Sequence, residues 1–270
     1  MIQNNYCCKK KAGLTLLLTA ILGISFSQVE AGLSYNFGVN TTKPTTKIIE
    51  SNGLGVVNSV GLTLNFPLNS KISLATGLEF DFESIKYAVT AGNVLYYNYN
   101  DVDIIQKGQI NEISSLYRLT ERKYKMIYGT IPTMLLFRTK PVGDYRYYGK
   151  FGARSSFLLS SSVFDKGFLI GPGFSETEQV NSDMKSARDI LFVRSSIGLA
   201  LGTEWNFTGD TWLFTELGFY YGITPIHYGK SLTGDEEKNM SLFKITPNGY
   251  DYMNLAARQK QILLKVGILF

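Results

Sequence analysis

Few residues in this 270-residue chain could do chemistry. His227 is the one histidine, and a metal site built on imidazoles needs several, so that class is excluded. A Ser-His-acid constellation is conceivable, but no Gly-x-Ser-x-Gly elbow occurs, and His227 lies beside Tyr228 in a stretch that reads as a loop. An ordinary loop histidine, with no catalysis and no cofactor, is expected. Gly171-Pro172-Gly173 is a turn signal rather than a phosphate loop, because no lysine motif or helix follows it. Asp235-Glu236-Glu237 could hold calcium or a lipid-bridging cation, although short acidic runs are usually just solvated. Tyr96, Tyr97 and Tyr99, set among asparagines, are the most suggestive binding surface. Two other readings of them stay open: an aromatic girdle at a rim, or packing within their own loop.

More informative are charged residues that recur at every second position opposite apolar ones. They need strands to position them, since strand side chains point alternately to opposite faces. The end of the chain shows the pattern best. Ile262, Leu264, Val266, Ile268 and Phe270 form an apolar face, against Gln261, Leu263, Lys265, Gly267 and Leu269. Similar alternation predicts strands over 31–39, 55–66, 71–84, 123–138, 145–160, 191–205, 211–223 and 258–270. The fourth has poorly separated faces and contains Pro132, which is unusual inside a ladder. Segment 85–122 is left open between an extra hairpin and a short helix, and 171–186 and 224–254 read as long loops.

The start of the chain narrows the class. Lys9, Lys10 and Lys11 precede an apolar run from Ala12 to Phe26, with Ser25 and Ser27 as small residues at a cleavage site. That is the order of a secretory signal peptide, expected over 1–27, leaving a single domain over 28–270. Cys7 and Cys8 would leave with the leader, so the mature chain would contain no disulfide. Without the leader lysines, 24 basic residues face 22 acidic ones, too small an excess to imply a nucleic-acid partner. No apolar run after Phe26 reaches membrane-helix length, so any spanning must be done by strands.

These observations predict an all-β fold: an eight-stranded antiparallel transmembrane β-barrel of the outer-membrane type, with tight periplasmic turns and long outer loops. Many strands exceed the roughly 9–11 residues needed to cross, so they should project beyond the outer leaflet. A soluble β-barrel would bury the apolar face instead. The glycines favour the inverted arrangement, because Gly38, Gly61, Gly77, Gly152, Gly198, Gly202, Gly218, Gly222 and Gly267 all fall on the charged face, where a narrow lumen is crowded. Only Gly129 and Gly149 break the rule. The expected lumen charge network is Glu79, Asp81, Lys150, Arg154, Arg194, Glu204, Glu216 and Lys265. Within it, Lys265 should pair with Glu216, Lys150 with Glu204, and Arg154 with Glu79 or Asp81. An eight-stranded interior has little spare room, so such charges must be paired.

Gly61 through Phe80 (GLTLNFPLNSKISLATGLEF) is similar to the second hairpin of the PorT-like outer-membrane β-barrel proteins of Bacteroidetes. Ile131-Pro132 followed by Leu135-Leu136-Phe137 resembles that family's isoleucine-proline strand, and Gln28 as first mature residue suits the same group. The resemblance implies an outer-membrane location and, for some members, work in type IX secretion and gliding. The expected role is therefore a non-enzymatic structural or partner-binding component. Its partners would be outer-membrane lipid, the barrel-assembly machinery during insertion, through Ile262–Phe270, and a protein bound through the outer loops. A small solute channel, and a lipid hydrolase or acyltransferase, are the alternatives.

Overall fold

The computed structural model describes residues 29–107, 114–185, 189–228, 240–253 and 255–270. The expected leader over 1–27 and the Asp235-Glu236-Glu237 run lie outside these residues. The chain forms one sheet of fourteen strands. In order they are β1 (Glu30–Pro44), β2 (Ile49–Ser51), β3 (Gly55–Pro67), β4 (Ile72–Val89), β5 (Leu95–Asn100), β6 (Asp103–Ile104) and β7 (Ser115–Arg138). Then come β8 (Tyr145–Ile170), β9 (Glu176–Lys185), β10 (Val193–Thr208), β11 (Thr211–Gly222), β12 (Phe243–Thr246), β13 (Gly249–Tyr252) and β14 (Ala257–Leu269).

The expected count of eight is therefore corrected to fourteen. The long strands pair antiparallel in the succession β1, β3, β4, β7, β8, β10, β11, β14, and β14 returns to β1. The six short strands sit around the ends of β4, β7 and β8: β2 pairs β4, β5 pairs β7, and β9 pairs β8. β6 bridges β5 and β9, and the β12–β13 hairpin meets β5. We call this group the annex. Its strands fall outside the stretches where alternation predicts strands: β2, β5, β6, β12 and β13 are too short to show a period, and β9 is polar on both faces.

Two irregularities interrupt the β7–β8 pairing. Register shifts fall between Leu119 and Glu121, where the extra residue Thr120 is on β7, and between Ile127 and Tyr128, where the extra residue Leu159 is on β8. A bulge inserts a residue and inverts the phase of alternation, so Leu119 and Tyr117 point inward although the simple period would turn them out. Pro132 is accommodated by a gap in the β4 ladder, whose pairs jump from Thr76↔Thr133 to Glu79↔Thr130.

The two surfaces of the ring are inverted relative to a soluble barrel. Outward residues such as Leu33, Phe37, Leu62, Phe80, Phe82, Phe137, Phe151, Leu199, Leu217 and Leu264 are exposed, while the polar residues between them are buried. A contiguous apolar belt of this size is far beyond what a soluble monomer shows. β14 follows the rule: Ile262, Leu264, Val266 and Phe270 are exposed, and Gln259, Gln261, Leu263 and Lys265 are buried. Inside, glycines make room for rings. A Cβ at Gly202 would run into Tyr148, and one at Gly198 into Tyr220.

Candidate functional site

The inward side chains of the long strands form a ladder of ion pairs along the axis. At the end carrying the tight turns, Arg138 bridges Glu30 and Glu204, the latter at 2.9 Å, and Arg146 joins the same two carboxylates while its guanidinium lies 4.1 Å from the Trp212 ring. One step in, Lys150 meets Glu216 at 2.6 Å, and the Tyr148 hydroxyl donates to the same carboxylate. Lys265 reaches Glu79 at 2.8 Å. Arg154 then contacts both Glu79 (2.7 Å) and Asp81 (3.0 Å), with Thr130 donating to Asp81. Finally Arg194 takes both oxygens of Glu83, which also accepts from the amides of Gln259 and Gln261.

Apart from Arg146–Glu204 and Thr130–Asp81, which join neighbouring strands, these contacts reach past at least one intervening strand. Arg154 stands on β8 and Glu79 on β4, with Gln261 of β14 accepting from Arg154 at 3.3 Å. Period-two placement explains how the charges come together: Glu79, Asp81 and Glu83 share one face of β4, so three carboxylates stack along the axis. Each is then held by a guanidinium or ammonium from a strand not adjacent to β4. Buried charges of this kind persist only when paired and hydrogen-bonded. The side chains of Glu79, Asp81, Glu83, Arg154 and Arg194 are between 0 and 4% exposed, so no water-wide passage touches them.

All eight expected network residues face the lumen, but two pairings differ. Lys150 takes Glu216, not Glu204, because the register sets Arg146 directly opposite Glu204 and Lys150 opposite Ala200. Lys265 is the register partner of Glu216, yet its ammonium bonds to Glu79 across the barrel. Arg154 meets both carboxylates named for it. The expected list lacks Glu83, Glu30, Arg138 and Arg146. Glu83 continues the period of Glu79 and Asp81, and that period was signal enough to find it.

Beyond Glu83 the filling changes. Ile85, Tyr87, Leu95, Tyr97, Tyr117, Leu119, Tyr124, Met126, Tyr128, Met184 and Ile226 form one apolar-aromatic core. The expectation of a tyrosine binding surface is corrected here. Tyr97 is wholly buried with its ring centroid 5.1 Å from that of Tyr117, and Tyr96 stacks on Phe243. Tyr99 is half-buried and packs on the same rings. β5 hydrogen-bonds to β7, which turns alternate tyrosines inward instead of leaving them on a loop. One ion pair lies within this core: Arg122 and Asp165 bond through both oxygens, beneath the Tyr97 ring.

His227 lies in the connection between β11 and β12, as expected, but is fully buried against this core. A bridge to Ile190 and the bond from Tyr228 N–H to the Asp189 carbonyl fix its backbone. Its Nε2 lies 3.1 Å from the Tyr87 hydroxyl, and the Tyr124 hydroxyl donates to Asp189 at 2.6 Å. Burial pulls the imidazole pKa below its ordinary 6.5, with Asp189 opposing. Ser241 lines the same small cavity as His227 and Asp189. Among the described residues no group of His, Cys, Asp and Glu is disposed to hold a metal.

A family model described as outer membrane protein beta-barrel domain matches residues 23–228. Among solved structures, the attachment invasion locus protein Ail of Yersinia pestis is 9% identical, covering 90% of this chain and 99% of Ail, at a TM-score of 0.30. OprG of Pseudomonas aeruginosa is 10% identical, covering 89% and 93%, at 0.38. The outer membrane protease OmpT of Escherichia coli is 11% identical, covering 91% and 97%, at 0.35. No curated protein matches.

Proposed function

This chain belongs to the outer-membrane β-barrel domain family, and on that premise we propose that it is a non-enzymatic barrel whose filled lumen serves as a rigid support for a partner-binding annex. The eight long strands are the membrane staves, and the outward apolar belt is the lipid-facing surface. The annex projects outside the cell, where it meets a protein partner. The resemblance to PorT-like proteins supports a place in a secretion or motility assembly.

One observation carries the non-conducting part of this reading. Arg154 spans from β8 to Glu79 and Asp81 on β4, and none of the three side chains is more than 3% exposed. An aqueous pore would leave such side chains wet. In planar bilayers the purified full chain should therefore give no discrete openings. Stable unitary currents would replace this reading with that of a solute channel. Affinity purification from native membranes should retain a stoichiometric protein that is lost when β12 and β13 are deleted; retention of that protein without them would remove the annex from the role.

A further inference from the structure

Above the apolar belt, the outward faces of the staves turn cationic, in a way the fold does not compensate. Lys43 on β1 and Arg258 on β14 are direct cross-strand partners, and Lys260, the partner of Thr41, lies on the same outward face of that seam. All three are exposed. Like charges set opposite each other destabilise a sheet, and among the described residues none of the three has an ion-pair partner. They border a cleft of about 740 Å³ with Pro44, Tyr221 and Pro225. Exposed Ile262 and Phe219 lie directly below. The pattern occurs again across the barrel: Lys86 on β4 faces Lys123 on β7, outward, above Phe82. That pair borders a second cleft, about 340 Å³, with Asn52, Phe164 and the Lys166–Glu121 ion pair. Other cations at this level are matched, as Lys166 is by Glu121 and Lys125 by Asp183.

We propose that these two clefts bind the phosphate groups of outer-leaflet lipids, the seam cleft being the larger site. An anion between Lys43, Arg258 and Lys260 removes the repulsion that the strand register imposes. The apolar residues beneath supply the surface for the acyl chains of the same molecule. A soluble phosphate would use the cations alone. A phosphorylated lipid uses both, which is why the adjacency of cleft and belt favours it. This inference rests on the membrane placement proposed above.

The test is binding of fluorescent bis-phosphorylated lipid A to the full chain in neutral detergent. Comparison ligands are the dephosphorylated lipid and inorganic phosphate as competitor. The triple variant Lys43→Gln/Arg258→Gln/Lys260→Gln should bind the phosphorylated lipid roughly a hundredfold more weakly, at about fivefold per cation. Lys43→Gln alone should cost about fivefold and keeps the test alive if the triple variant does not fold. A paired-cation control, Lys125→Gln/Lys185→Gln, should bind nearly as wild type, since Asp183 and Asp103 already face those ammonium groups. Equal loss in the control, or equal binding of dephosphorylated lipid, would overturn the proposal. Displacement by inorganic phosphate as effective as that by lipid would do the same, since it would show a site for soluble anions. Insertion into phosphatidylcholine vesicles separates the two levels. A chain that inserts but shows no phosphate preference contradicts this inference alone, whereas a chain that fails to insert contradicts the membrane placement.

Discussion

The two halves of this barrel are filled in opposite ways, and the change can be followed along single strands. On β4, Leu78, Phe80 and Phe82 point out while Glu79, Asp81 and Glu83 point in; four residues on, Lys86 points out while Ile85 and Tyr87 point in. On β7, outward Leu135 and Phe137 give way to outward Lys123 and Lys125, with Tyr124 and Met126 inside. The solvent outside decides which face is oily. Against lipid, apolar groups belong outward and polarity is confined to the lumen. Against water the usual rule returns, and the upper half is packed as a soluble β-barrel would be. One continuous strand serves both, and the crossing near Ser84 marks the expected edge of the bilayer.

The difference can be broken hardest at the centre of the charged half. Arg154→Met leaves Glu79 and Asp81 without their shared partner, and breaking a buried pair costs about 3–5 kcal/mol. Urea unfolding in lipid vesicles measures it; a loss below about 1 kcal/mol, as for exposed pairs, would mean that water reaches the ladder. Next in size is the outward face. Leu264→Arg should cost about 2–4 kcal/mol in a bilayer and much less in the detergent-solubilised state, whereas Lys260→Leu should show no such contrast. In the upper half, Ile85→Val should cost about 0.5–1.5 kcal/mol, as an ordinary core truncation does. That loss should be indifferent to lipid.

Sequence reasoning reached the lower half and missed the upper one, for a reason rooted in the same contrast. Where outward apolar and inward charged residues alternate, period two is unmistakable, as at Leu78–Glu83 and Gln261–Val266. Where Tyr124, Met126 and Tyr128 line the inside and the outer face is mixed, the period carries little contrast, and the β7 bulge at Thr120 inverts it beyond that point. Tyr97 and His227 were legible only as residue types, because their burial depends on β5 and on the chain around Asp189 closing over the barrel. Which lysine meets which glutamate likewise follows from register, and alternation alone does not contain register.

The smallest expected effect sharpens the upper half. His227 is buried with its pKa below 6.5, facing Asp189, Tyr87 and Tyr124. A folded-state pKa below the unfolded value means that the unfolded annex takes up the proton first. Local stability is therefore complete above about pH 6.5 and declines as pH falls below it. Amide exchange at Ile190 and Ile226, corrected for intrinsic rates, should speed up on acidification, and His227→Gln should flatten that response. An unchanged slope in the variant would assign the pH dependence to other groups.

The polarity switch is tested most directly by single cysteines along the outward face of β4, in a chain whose native cysteines are Cys7 and Cys8 alone. With the protein in vesicles, cysteines at Leu78, Phe80 and Phe82 should resist a water-borne maleimide and be quenched by brominated lipid tails when fluorescently labelled, while one at Lys86 should react at once and escape quenching. Uniform maleimide reactivity from 78 to 86, with no lipid quenching anywhere, would contradict it.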